Sequence, residues 1–375
     1  MSEREKNGLE ENDIEKRNGE SGDNGQPDPG KSAGPEAAWE TRVLHVRGMV
    51  DETTGAASTP IYQASTFHQP DVEHPPKYDY ARSGNPTREA LEAAIAEMEG
   101  GDAGFAFASG MAAISSVFAI FSSGDHLIVS EDVYGGTYRV LTQIFPRFGL
   151  HISFVDTTDL EQVAAAIRPE TRAIYVETPS NPTLKITDLH GIVSLARDHG
   201  LLTIIDNTFM TPYFQRPLDL GFDIVVHSAT KFLGGHSDVV AGLVAARGEE
   251  LAKKIYQVQN GFGAVLGVHD AWLVLRGMKT LAVRMRQAEK NAMQLARWLA
   301  GHRAVERVYY PGLDGHPGKA VHERQSSGYG AVLSFDVGSR EKVLHVMRRV
   351  RTPLVAVSLG AVESILSYPA TMSHA

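Results

Sequence analysis

Cysteine is absent from this 375-residue chain. That excludes disulfides, thiolate zinc sites, iron–sulfur clusters and cysteine nucleophiles together. No run of about 18 apolar residues occurs, so no transmembrane helix is expected. The opening stretch MSEREKNGLEENDIEKRNGE lacks the apolar core of a secretory signal, which reads as a cytoplasmic chain. Basic side chains are in deficit, with 36 Lys and Arg against 45 Asp and Glu. Nucleic acid is therefore disfavoured as a partner, because neutralising phosphates needs clustered Lys and Arg. His227, His236 and His269 have no ligand-like spacing, and no metal site is expected.

Much of the acidity is concentrated at one end. Residues 1–40 hold eleven acidic and five basic side chains and few apolar ones. Such a segment cannot bury enough surface to offset its chain entropy. It reads as a disordered acidic tail, with the folded part starting near Trp39.

Short apolar runs then alternate with helical patterns. Residues 88–100 and 109–124 have helical periodicity, and a further helix over 188–200 closes at Gly200. Strands are expected at 126–130, 151–156, 173–178, 201–206 and 223–228, several of them apolar throughout, as strands covered on both faces are. Strand, helix and strand at this spacing predict an α/β protein with a mostly parallel, doubly wound sheet. From about 266 the pattern changes to a long amphipathic helix over 279–302 and two strand-like segments, a smaller α+β part. The expected organisation is a tail (1–40), an arm (41–85), a large domain (86–265) and a small domain (266–375).

Ligands of such sheets bind at the carboxyl ends of the strands, and polar residues gather there. Asp206, Asn207 and Thr208 follow one strand, ETPSNPT (177–183) another, and Ser228, Thr230 and Lys231 a third. A lone lysine near a strand end is most often a surface residue, and a lone Asp-Asn-Thr most often a turn or cap. The conjunction says more. A lysine amine can form a Schiff base with an aldehyde cofactor. A helix entered through Ser109, Gly110 and Met111 offers N–H groups to a phosphate. Asp206 can pair with a protonated pyridine nitrogen, and Tyr134, beside two glycines, can cover the ring.

YDYARSGNPTREALE (78–92), FASGMAAI (107–114), EDVYGGTYR (131–139), ETPSNPT, the stretch 206–238 and VSLGAVESILSYPATMSHA (357–375) together resemble the Cys/Met-metabolism, or trans-sulfuration, family of pyridoxal-phosphate enzymes of fold type I. The likeness runs from about residue 42 to the end, and within the family it is strongest to bacterial cystathionine β-lyases. It implies that Lys231 is the Schiff-base lysine and proton shuttle, that Asp206 holds the pyridine nitrogen, and that Tyr134 stacks on the ring. It implies a phosphate site of Gly110, Met111, Ser228 and Thr230, with Thr208 also at the cofactor. Asn181 is implied at the ring hydroxyl or substrate carboxylate and Ser358 at the carboxylate. Tyr80 and Arg82 are implied to reach the phosphate of a neighbouring subunit, so that shared sites make a dimer the least complete unit and a homotetramer the usual assembly. The implied reaction cleaves a small amino-acid substrate, L-cystathionine, by β-elimination. Gamma-elimination, gamma-replacement and use of acylated homoserine are the alternatives.

Two departures from the family pattern bear on substrate. The family continues past PATMSHA to an arginine that grips the substrate carboxylate in a two-pronged pair. No residue here matches it, and the chain reads as a fragment. Val357 stands before Ser358, where several relatives carry an acid. Gly136 occupies the place of a cysteine in methionine gamma-lyases, which argues against that branch.

Overall fold

Apolar residues three and four apart specify the first long helix. In α1 (Pro86–Glu99), Leu91, Ala94, Ile95 and Met98 are all buried, each of the larger ones contributing about 1.5–3 kcal/mol by leaving water. Asn85 caps the helix, accepting the Thr87 N–H at 2.9 Å, and Pro86 supplies a pre-set first turn. The computed structural model describes residues 37–46, 50, 51 and 53–372. The expected acidic tail therefore lies outside the described residues up to position 36. Trp39 is already packed, its ring edge-on to Tyr213 at 5.2 Å.

The centre is a seven-stranded sheet in the order β1-β7-β6-β5-β4-β2-β3. Its strands are β1 (Ala103–Phe107), β2 (His126–Ser130), β3 (His151–Val155), β4 (Thr171–Glu177), β5 (Leu202–Asp206), β6 (Ile224–Ser228) and β7 (Gly242–Ala246). β2 pairs in parallel with β3 and β4, β4 with β5, and β5 with β6. β7 runs antiparallel between β6 and β1. The patterning pointed to the five parallel strands β2 to β6 and not to β1 or β7. Both are five-residue runs rich in Ala and Gly, broken in β1 by Phe105 and Phe107, with little β-branched content to mark them. The antiparallel turn has a simple cause. A parallel return needs a crossover, usually a helix, and residues 229–241 form none.

Helices cover both faces: α2 (Gly110–Phe118), α3 (Gly135–Gln143), α4 (Leu160–Ala165), α5 (Leu189–His199), α6 (Glu249–Phe262) and α7 (Val268–Met278). Strand alternation sorts the core into two layers. Ile128, Ile174, Val176, Ile205 and Val225 pack with α1, α5 and α7. Leu127, Val129, Tyr175, Ile204 and Val226 pack with α2, α3 and α6. This is the expected α/β architecture.

Beyond it lie α8 (Leu281–Ala300), β8 (Arg307–Tyr309), α9 (Lys319–Gln325), β9 (Ser334–Asp336), α10 (Arg340–Arg349), β10 (Leu354–Val355) and β11 (Ile365–Leu366). Leu266, Val274, Leu275, Met278, Leu281 and Met285 belong to the first core layer. Packing on the large sheet thus extends into α8, past the change of pattern at 266. The arm is mostly exposed over 53–80 and is tied down locally, Phe67 N–H donating to the Asp79 carbonyl at 2.9 Å.

Candidate active site

Because β2, β4, β5 and β6 are parallel, their final residues Ser130, Glu177, Asp206 and Ser228 emerge on one edge of the sheet. The N-terminus of α2 enters at the same edge, where Ser109 caps it by accepting the Ala112 N–H at 3.0 Å. Between this edge and the small C-terminal strands is a cavity of about 750 Å³. Gly110, Met111, Tyr134, Asn181, Asp206, Thr208, Ser228, Thr230, Lys231 and Ser358 all line it.

Lys231 sits in the turn after β6, its N–H bonded to the Ser228 carbonyl at 3.1 Å. Its Nζ donates to Ser358 Oγ at 2.8 Å, and among the described residues it has no carboxylate partner. Burial holds its pKa below the usual lysine range, because a low-dielectric site disfavours the ammonium form. Ser358 holds φ at +100°, a conformation that costs a non-glycine residue about 1–3 kcal/mol and persists only where the surroundings impose it. Backbone strain and an unpaired amine thus meet at one contact.

Asp206 and Glu177 stand opposite each other in register at the ends of β5 and β4. Asp206 accepts the Thr208 N–H through Oδ1 at 3.0 Å, and Thr208 Oγ1 in turn accepts the Ser228 N–H at 2.8 Å. Glu177 accepts the Tyr134 N–H at 2.9 Å. Burial pushes both carboxyls up. Glu177 is pushed well above its usual range, with the charge of Asp206 adding to the rise. The rise at Asp206 is opposed by its bonds to Thr208 and by His227. Two adjacent buried carboxyls cannot both ionise cheaply.

Tyr134 is the residue preceding α3, and Gly136 explains its pose. A Cβ at 136 would fall 2.5 Å from the Tyr134 ring and 2.7 Å from the Met111 sulfur. Asp132 accepts from the hydroxyls of Ser180, at 2.7 Å, and Thr183, tying the loop that carries Asn181 to the loop that carries Tyr134. Thr230 Oγ1 is held by Ala241, accepting its N–H at 3.0 Å. His227 pairs its Nε2 with Glu99 Oε1 at 2.6 Å.

Tyr80 and Arg82 are not brought to this cavity. Tyr80 is exposed, and Arg82 Nη1 donates to the Asn260 carbonyl and Oδ1, both at 2.7 Å, at the end of α6. Two cavity features escaped the sequence reading. Glu177 is visible as the first letter of ETPSNPT, yet the rise of its pKa depends on burial and on the neighbour in register. Arg139, the guanidinium among the lining residues, closes YGGTYR and lines the same cavity as Tyr134; nothing in its spacing marks which way it faces.

The residues fit a phosphate-bearing pyridine aldehyde. The N–H groups of Gly110 and Met111 have no acceptor within the helix and none among the other described residues. They share a wall with the Ser228 and Thr230 hydroxyls, while Asp206 presents a carboxylate and Lys231 an amine. Residues 40–375 match the family described as Cys/Met metabolism PLP-dependent enzymes. The chain belongs to this family. It is 60% identical over 336 residues to cystathionine beta-lyase MetC of Bacillus subtilis, covering 90% of this chain and 86% of that protein. It is 52% identical to cystathionine gamma-lyase of the same organism, with 90% and 89% covered. Among solved structures, cystathionine gamma-lyase from Lactobacillus plantarum complexed with L-serine matches with a TM-score of 0.88 at 49% identity, covering 90% of this chain and 88% of that one. As a Cys/Met-metabolism enzyme of fold type I, the chain uses pyridoxal phosphate as its cofactor.

Proposed function

We propose that the chain is a cystathionine β-lyase, splitting L-cystathionine by β-elimination into homocysteine, pyruvate and ammonia. The observation that carries this reading is the Lys231 amine, without a carboxylate partner among the described residues and 2.8 Å from Ser358 Oγ, in one cavity with the Asp206 carboxylate. The 60% identity to a cystathionine beta-lyase supports the choice of substrate.

When bound, pyridoxal phosphate supplies an electron sink for the pair left at the substrate Cα. Lys231 would hold the aldehyde through Nζ, and the same atom would take the substrate Cα proton. Its lowered pKa raises the fraction of free amine available as a base near neutral pH. Asp206 would hold the ring nitrogen protonated by pairing its carboxylate with it. Tyr134 covers the ring and passes a proton to the departing sulfur. Gly110, Met111, Ser228 and Thr230 bind the phosphate, with Thr208 bracing Asp206 and Ser228. Asn181 and Ser358 orient the substrate carboxylate.

Tyr80 and Arg82 belong to the same reading as donors to the site of a neighbouring subunit, supported by their place on an exposed arm away from this chain's own cavity. The assembly is then a homotetramer built from two such dimers, working in the cytoplasm. Among the described residues, no helix is long and apolar enough to cross a membrane.

The test is the 2-oxo acid formed from L-cystathionine by the purified holoenzyme. Pyruvate as the main product supports β-elimination. Mainly 2-oxobutyrate moves the chain to gamma-elimination, for which the uncharged Val357 in the cavity wall leaves room. Light scattering of the holoenzyme checks the assembly, and a monomer carrying full activity would overturn the shared site.

A further inference from the structure

Below the Asp206 carboxylate lies a hydroxyl that the mechanism does not use. Tyr175 occupies the middle of β4, two residues before Glu177, so both side chains point to the same face of the sheet. Glu177 is in turn the register partner of Asp206. The Tyr175 side chain is 1% exposed, and its ring packs on Phe118 with centroids 5.2 Å apart. Its hydroxyl is fully buried and has no hydrogen-bond partner among the described residues. The hydroxyl of Thr137, in the first turn of α3, is buried and unpartnered as well.

An orphaned buried hydroxyl is costly, and a phenylalanine would fill the same space without that cost. Two such orphans under one strand end call for a reason. The electrostatic surroundings name the acceptor. Tyr175 is pushed well above the usual phenol range by burial, then by the charges of Asp206 and Glu177, with the nearby Thr137 hydroxyl acting in the opposite sense. The same hydroxyl acts on Asp206 as a stabilising donor. It therefore stands beside the carboxylate with no formed hydrogen bond between them.

We propose that Tyr175 is a positioning residue for Asp206: its hydroxyl, braced by that of Thr137, closes onto the Asp206 carboxylate when the pyridine ring engages it. The step is a hydrogen bond, with the Tyr175 O–H donating to a carboxylate oxygen and no proton transferred. A phenol held protonated by burial is suited to this, since it can only donate toward an anion. The proposal rests on the reading that Asp206 holds the ring nitrogen.

The experiment compares Tyr175→Phe, Thr137→Val and Asp206→Asn with the wild type. It measures the dissociation constant of pyridoxal phosphate, the pH titration of the bound cofactor's absorbance, and the melting temperature of each cofactor-free protein. For Tyr175→Phe the expected results are about tenfold weaker cofactor binding, a displaced titration midpoint, and a cofactor-free protein at least as stable as wild type. Thr137→Val should shift both cofactor readouts in the same direction by less. Unchanged binding and titration in Tyr175→Phe, with Asp206→Asn perturbed, would overturn the role of Tyr175 alone. Unchanged cofactor behaviour in Asp206→Asn would instead overturn the reading of Asp206. If Tyr175→Phe lowers the melting temperature of the cofactor-free protein as much as it lowers affinity, the hydroxyl is structural and the proposal fails. Should that variant not fold, unchanged cofactor readouts in Thr137→Val overturn the proposal, and shifted ones support it.

Discussion

Gly360→Ala tests how the strained serine is held against the lysine. Gly360 has φ +80°, and a Cβ there would sit 2.6 Å from the Phe232 nitrogen, 2.9 Å from the Lys231 carbonyl carbon and 3.1 Å from Lys231 Cα. All three atoms are backbone, so no side chain can swing aside. The left-handed conformation costs an alanine about 1–2 kcal/mol, and forcing the contact apart adds about 1–3 kcal/mol. The sum, about 2–5 kcal/mol, is a large part of a typical stability of about 5–15 kcal/mol. Gly200→Ala is the matched control: φ is +63° with nothing within 4 Å of the added atom, so only the conformational cost applies. Urea unfolding of both cofactor-free variants gives the difference, expected at about 1–3 kcal/mol in favour of Gly200→Ala. Activity separates the two further. Separating residues 358–360 from the lysine turn pulls Ser358 Oγ away from Lys231 Nζ, so Gly360→Ala should lose activity that Gly200→Ala keeps. Equal stabilities, or a fully active Gly360→Ala enzyme, would refute the claim that backbone contact at 360 sets the lysine–serine pair.

Lys231→Ala should abolish pyruvate formation and the visible absorbance of the lysine-bound cofactor while the melting temperature changes little, because the amine has no carboxylate to leave behind; a surviving band would contradict the assignment. Asn85→Ala should cost about 1 kcal/mol by removing the cap of α1, read from urea midpoints, and an unchanged midpoint would argue that the cap carries no stability. Acid should weaken the fold through two buried histidines. His126 is held to about 4 by burial, with nearby Arg168 adding to it, and bonds the hydroxyls of Thr171 and Ser153. His322 is held to about 4 by burial, its Nε2 bonded to the Gly328 carbonyl. Both are lowered in the fold, so the unfolded chain takes up protons first. Their stability is intact above about pH 6.5 and is lost as pH falls toward 4, on the order of 3 kcal/mol each. His126→Gln should flatten part of the decline in urea stability between those two pH values, and a decline as steep as wild type would exclude His126 as a source.

The alternation of apolar strands and helical stretches was enough to locate the five parallel strands and to place Asp206, Ser228 and Lys231 at one edge, since a local period and a strand end are properties of short segments. The motifs around Gly110, Tyr134 and Asn181 named the chemistry of one cavity for the same reason. β1 and β7 were beyond that reach: whether a short run of small residues becomes a strand depends on the neighbours that receive it, and those lie far away in the chain. Register decided more still. Only the pairing of β4 with β5 sets the buried Glu177 carboxyl beside that of Asp206, and only the same pairing puts the orphaned Tyr175 hydroxyl beneath them. The contact of Ser358 with Lys231 joins segments 127 residues apart. It exists because the backbone at Gly360 packs on the lysine turn, a consequence of three-dimensional packing that no local pattern encodes.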